Sequence, residues 1–154
     1  MVKTEHFNVI DTPGLNDRRI DVKDWVDRFN GGNGSTKPQD LALAILLFKH
    51  SDRPSVEDYV VISMCKTAIE NLAPQNVALV FTHCDESLWF DKDYAHEWYS
   101  EGIQHDNLGM PSIAKERIFL FKGKDGQGGP MTTHNELVNF IQSIIPRKEE
   151  QARL

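Results

Sequence analysis

The chain has few cysteines, no excess of positive charge and no long apolar run. Its longest apolar run, residues 41–48, is far shorter than the roughly 20 residues that cross a bilayer, so we expect no transmembrane segment. Two cysteines, Cys65 and Cys84, and no secretory signal favour free thiols and a cytoplasmic location. The net charge of −6 provides no positive field for phosphate backbones or anionic lipids, which argues against nucleic-acid and membrane-surface binding.

Apolar strands alternate with amphipathic helices along the sequence. Strands are predicted at residues 7–11, 41–48, 76–82 and 117–121, and helices around 22–29, from Ser55, from near Asp91 and from Thr133. This order predicts an α/β fold with three layers, in which a mostly parallel sheet of about four strands carries helices on both faces. A single domain is expected over residues 1–146, followed by a polar tail at 147–154.

The apolar positions of the last three helices predict which side of each is buried. For the helix from Ser55 they are Val56, Tyr59, Val60, Met64 and Leu72; for the next, Tyr94, Trp98 and Ile103; for the last, Leu137, Phe140, Ile141 and Ile144. Ser55 with Asp58, and Thr133 with Glu136, have the spacing of capping boxes.

Polar residues follow three of the predicted strands. Asp11 and Gly14, in Asp-Thr-Pro-Gly, have the chemistry to hold a magnesium ion through water and to bring a backbone N–H close to a terminal phosphate. After the third strand come Thr82, His83 and Asp85, where the carboxylate is able to accept both N–H donors of guanine while His83 lies flat on the base. Lys122 and Gly123 close the fourth strand, where a loop backing the base would lie. Each group alone is also compatible with a plain turn.

Taken in order, the segments Val-Ile-Asp-Thr-Pro-Gly-Leu, Asp-Arg-Pro-Ser-Val-Glu-Asp and Leu-Val-Phe-Thr-His-Cys-Asp resemble those of the avirulence-induced-gene (AIG) type of GTPase, over residues 5–145. In that family the guanine motif commonly begins Thr-x-x-Asp, which matches Thr82 and Asp85. The resemblance implies an incomplete P-loop GTPase (G domain) fold that binds GTP or GDP with Mg²⁺. It implies that Asp11 lies in the magnesium shell, that Gly14 meets the γ-phosphate, and that Asp85 selects guanine with His83 beside the base.

The family's phosphate loop and switch I have no counterpart in these residues. The nearest candidate, 31–38, fails because Thr36 stands where glycine precedes the lysine and Pro38 stands in place of Ser or Thr. Four lost phosphate contacts remove roughly 6 to 12 kcal/mol, whereas micromolar affinity is only about 8 kcal/mol in total. We therefore expect millimolar nucleotide binding at best, no measurable hydrolysis and no catalytic residue.

The sequence leaves three classes of function open. The first is a GTP-binding protein of AIG type, and the second is a pseudo-GTPase that associates with itself or with intact family GTPases. The third is an unrelated parallel α/β domain, such as a receiver or a hydrolase. In the family's sheet, a strand without a counterpart in these residues lies between those at 7–11 and 41–48. We therefore expect that the strand at 7–11 slides across to pair with 41–48, or that a second copy completes the sheet by exchange.

Overall fold

The computed structural model describes residues 2–3, 8–9, 42–69, 72–87, 89–105, 109–123 and 134–145. In chain order the elements are β1 (Val2–Lys3), β2 (Asn8–Val9), β3 (Ala44–Lys49), α1 (Val56–Ile69), β4 (Val77–Thr82), α2 (Lys92–Glu97), β5 (Ile118–Leu120) and α3 (His134–Ile144). A π-helix, Trp98–Gln104, continues α2, and 3-10 turns lie at Pro74–Asn76, Cys84–Glu86 and Lys115–Arg117.

Strands β3, β4 and β5 form a parallel sheet in that order, with β4 in the centre. Ala44 lies opposite Val77 and Lys49 opposite Thr82, while Phe81 lies opposite Leu120 on the other side. The first five residues of β4 are all buried, as expected of a central strand covered on both faces. The predicted α/β class, with a parallel sheet and helices, is confirmed at this level.

The strand predicted at 7–11 does not join this sheet in the part of the chain that the structure describes. Asn8–Val9 instead pairs antiparallel with Val2–Lys3, and Val2 lies opposite Val9. The described parallel sheet thus has three strands where four were predicted, and the predicted sliding of this strand onto 41–48 is not what these residues show. A partner close in sequence requires little loop-closure entropy, whereas a parallel neighbour requires a long crossover.

One face of the sheet carries the main core. The side chains of β3, β4 and β5 pack there against α1 and against the segment containing α2 and the π-helix; the buried members include Leu46, Phe48, Phe81, Ile62, Ile69, Trp98, Tyr99 and Ile103. The core on the opposite face is smaller. There Leu137 and Phe140 of α3 pack against Ala78, Val80 and Phe119. Helices therefore lie on both faces of the sheet.

Helix α1 begins where the capping pair predicted it. The Ser55 N–H donates to Asp58 Oδ2 at 2.8 Å, and the Asp58 N–H donates to Ser55 Oγ at 3.2 Å. The predicted buried side was partly wrong, because Val56 and Val60 are 76% and 42% exposed while Ile62 is fully buried. Apolar residues occur nearly all round this helix, so their spacing alone does not select a face.

Some of the remaining helix predictions are confirmed, and others are not tested by the structure. Asp91 caps α2 by accepting the Tyr94 N–H at 2.8 Å, and Trp98 and Ile103 are buried as predicted. In α3, Ile141 is buried and Ile144 partly buried. Tyr59 and Leu72 pack against the main core, with Leu72 beyond the end of α1. The Met64 side chain, Thr133 and the tail at 147–154 lie outside the described residues.

Candidate functional site

The carboxyl ends of β4 and β5 bring together two of the predicted groups. The Gly123 N–H donates to Asp85 Oδ1 at 2.5 Å, although the two residues are 38 positions apart in the sequence. Because parallel strands end at the same edge of a sheet, their terminal loops are neighbours, and ligands of α/β folds bind at this edge. We call Thr82, His83, Asp85, Lys122 and Gly123 the β4–β5 edge.

Main-chain bonds hold the two loops of the β4–β5 edge in place. The Phe121 N–H donates to Phe81 O at 2.9 Å, and the Cys84 N–H donates to Phe121 O at 3.0 Å. Cys84 itself is fully buried, and burial raises the pKa of its thiol to about 11. A thiol that stays protonated is a poor nucleophile, and Cys84 belongs to the main core, so its role is structural.

His83 has a left-handed backbone, with φ of 59° and ψ of 27°. It is the one residue other than glycine with positive φ in the part of the chain that the structure describes. Its Nδ1 lies 3.1 Å from Thr82 Oγ1, and the Thr82 hydroxyl donates to Phe48 O at 3.4 Å. This conformation costs an L-residue about 1 to 2 kcal/mol, and such strain concentrates at functional sites.

Gly123 permits a close approach between its backbone and the His83 ring. A Cβ at position 123 would lie 2.8 Å from His83 Cδ2 and 3.6 Å from Asp85 Oδ1. Real Cβ atoms do not approach other atoms as closely as 2.8 Å, so any larger residue would displace the ring. Glycine at this position therefore allows His83, Asp85 and the second loop to pack together.

Asp85 is held in its charged form by its surroundings. The Gly123 N–H lowers the pKa of this carboxyl below its ordinary value of 3.8, and electrostatic interactions with His83 and Lys122 act in the same direction, while partial burial opposes them. An ionised carboxylate has about four acceptor positions, of which Gly123 uses one. The β4–β5 edge therefore retains acceptor capacity for N–H donors of a ligand.

Asp85→Asn is expected to alter how stability depends on pH. A carboxyl whose pKa is lowered by folding stabilises the protein above its unfolded pKa, and this contribution is lost as the pH falls through the folded value. We expect the wild type to be more stable than Asp85→Asn at pH 6 and this advantage to shrink below about pH 4. Urea unfolding of both proteins from pH 6 down to 2.5 measures the difference, and a difference that does not change with pH would contradict this account of Asp85.

The end of β3 adds residues that the sequence analysis missed. The His50 N–H donates to Thr82 O at 3.1 Å, and His50 Nε2 lies 3.0 Å from Ser87 Oγ. His50 Nδ1 is buried and has no hydrogen-bond partner. A cavity of about 270 Å³ lies nearby, and it is lined by Lys49, His50, Ser51, Ser55, Glu57 and Asp58. The available signal was a histidine directly after an apolar strand, at the edge where ligands bind.

The structure does not test the predicted phosphate and magnesium residues. Asp11 and Gly14 lie outside the described residues, so their roles stay predictions. Within the described ranges, no three His, Cys, Asp or Glu residues cluster closely enough to hold a metal ion. The same ranges contain no helix that combines the length and apolarity needed to cross a membrane.

Comparison with known proteins gives no match. No protein-family model matches the chain, and neither a curated protein nor a solved structure does.

Proposed function

We propose that the β4–β5 edge binds the base of a guanine nucleotide, as part of a GTP-binding domain of AIG type. The observation that carries this proposal is the ionised Asp85 carboxylate held between two loops by the Gly123 N–H. The loops meet at the carboxyl edge of a parallel sheet, the general position of nucleotide sites in α/β folds.

The chemistry of Asp85 favours guanine over adenine. Guanine presents two adjacent donors, its ring N–H and its exocyclic amine, and a carboxylate accepts both. Adenine presents a ring nitrogen acceptor at the corresponding place, so its lone pair opposes the carboxylate. The His83 ring lies close to Gly123 at the same edge. In this proposal it stacks on the flat face of a base bound to Asp85.

The residues of the β4–β5 edge fit the base of the nucleotide, and the phosphate side rests on sequence alone. In this proposal Asp11 would hold Mg²⁺ through water and Gly14 would meet the γ-phosphate. Magnesium, when bound, would neutralise phosphate charge. Since the 154 residues contain no Gly-x-x-x-x-Gly-Lys-Ser/Thr sequence, we propose that they bind nucleotide weakly and do not hydrolyse it measurably.

The lack of a phosphate-loop sequence in these residues favours a second candidate, a pseudo-GTPase interaction module. Such a module would associate with itself or with intact family GTPases and would use the β4–β5 edge without turnover. Isothermal titration with magnesium GTP tests the weak binding proposed for this chain. A micromolar dissociation constant would contradict the weak binding proposed for this chain.

A nuclear magnetic resonance titration with GDP tests the base site. We expect the amide signals of residues 82–87 and 121–123 to shift on addition of GDP, with a dissociation constant of about 1 mM. Asp85→Asn should weaken GDP binding about tenfold, because the amide replaces one acceptor oxygen with a donor.

Glu116→Gln is the matched control for that titration. It makes the same change of charge at an exposed carboxylate, but in the turn that precedes β5, at the opposite edge of the sheet. This variant should bind GDP as the wild type does. Shifts spread evenly over the protein, or equal weakening by both variants, would contradict the proposed site.

A further inference from the structure

The edge strand β3 has an apolar face that the described elements leave uncovered. Leu46 and Phe48 point into the main core, whereas Ile45 and Leu47, on the other face, are 37% and 67% exposed. On that second face Ile45 lies beside Ala78 and Leu47 beside Val80 of β4. Helix α3 covers the part of this face formed by β4 and β5. The apolar part formed by β3 stays exposed.

The backbone of β3 also presents hydrogen-bonding groups along the lateral side of the sheet, where β3 is the outermost described strand. The backbone N–H of His50 donates to the Thr82 carbonyl, which shows that the main-chain groups of even-numbered β3 residues point toward β4. Since these groups alternate along a strand, those of Ile45, Leu47 and Lys49 point outward. Among the described strands, β4 is the sole neighbour of β3. Such an edge is a template for pairing with another strand.

We propose that β3 pairs with β3 of a second copy of this chain, antiparallel across a twofold axis, to give a continuous six-stranded sheet. Centred on Leu46, this pairing places Ile45 opposite Leu47 of the partner, and both residues have outward main-chain groups. It keeps their side chains on one face, so two residues from each copy form a single apolar patch. A twofold contact is self-complementary, as homodimers require.

Charge supports a second copy as the occupant. The net charge of −6 opposes self-association in general, but β3 carries no acidic residue and one basic residue, Lys49. In the pairing centred on Leu46, the two Lys49 side chains lie at opposite ends of the junction, each opposite Leu43. Within β3, the pairing therefore places no two like charges opposite each other.

Sedimentation velocity of the 154-residue chain tests the proposal. A junction of two short strands is smaller than a standard interface, so we expect a monomer–dimer equilibrium visible between about 5 and 500 µM. Leu47→Lys should weaken the dimer at least about tenfold, because it places a charge in the apolar patch. Val56→Lys makes the same kind of change at an exposed apolar residue of α1 and should leave the dimer unchanged.

Two further measurements keep the test decisive if Leu47→Lys folds poorly. Leu47→Pro removes an outward N–H, which an edge strand tolerates, and should give a folded monomer. In the wild type, the amides of Ile45 and Leu47 should exchange more slowly as the protein concentration rises. The proposal would be overturned if the protein were a monomer at every concentration or if Leu47→Lys dimerised as strongly as the wild type. It would also be overturned if the amide exchange rates of Ile45 and Leu47 did not depend on protein concentration.

Discussion

Phe81→Ala is expected to lower the free energy of unfolding by about 3 to 5 kcal/mol. Phe81 is fully buried in the central strand, and its ring centroid lies 5.1 Å from those of Phe90 and Trp98 and 5.8 Å from that of Phe48. Truncation removes the ring shared by these three aromatic contacts and leaves a cavity between the sheet and two separate chain segments. Chemical denaturation followed by far-ultraviolet circular dichroism measures the loss.

Trp89→Ala is the control for that experiment. Trp89 also has aromatic neighbours, with its ring 4.8 Å from that of Tyr94, but it is 48% exposed. Its truncation should cost about 1 kcal/mol, since much of the ring remains in water when the protein is folded. A loss for Phe81→Ala no greater than that for Trp89→Ala would contradict the packing described for the main core.

Ile62→Ala is expected to cost about 2 to 5 kcal/mol, whereas Val56→Ala should stay within about 0.5 kcal/mol of the wild type. The two residues belong to the same helix, and Ile62 is fully buried while Val56 is 76% exposed. Both substitutions place alanine, a strong helix former, in α1, so the difference between them reports burial. Urea unfolding of both variants measures it, and a larger loss for Val56→Ala would mean that α1 presents its other side to the sheet.

The elements that sequence predicted best are those with one dominant physical cause. Strands β4 and β5 begin within one residue of their predicted starts because short apolar runs with polar flanks leave few alternatives. Helix α1 begins at its capping box because Ser55 and Asp58 satisfy each other's backbone N–H groups there. Its buried side was not predictable, because Val56, Val60 and Ile62 are equally apolar and only the position of the sheet decides between them.

The candidate site was predictable in composition and less so in geometry. That Asp85 and Gly123 meet follows from the rule that parallel strands end at one edge. The left-handed backbone of His83 and the close approach of Gly123 to its ring depend on how two distant loops pack, which sequence spacing does not specify. His50 was missed because a single histidine after a strand is compatible with many roles.

The central claim is that Asp85 selects guanine, and its most direct test is base preference in the wild type and in Asp85→Asn. The dissociation constants for GDP and ADP, measured by magnetic resonance titration, give a ratio that cancels whatever the phosphates contribute. We predict that the wild type binds GDP at least about tenfold more tightly than ADP and that Asp85→Asn loses most of this preference. Equal binding of the two nucleotides by the wild type, or an unchanged preference in Asp85→Asn, would contradict the claim.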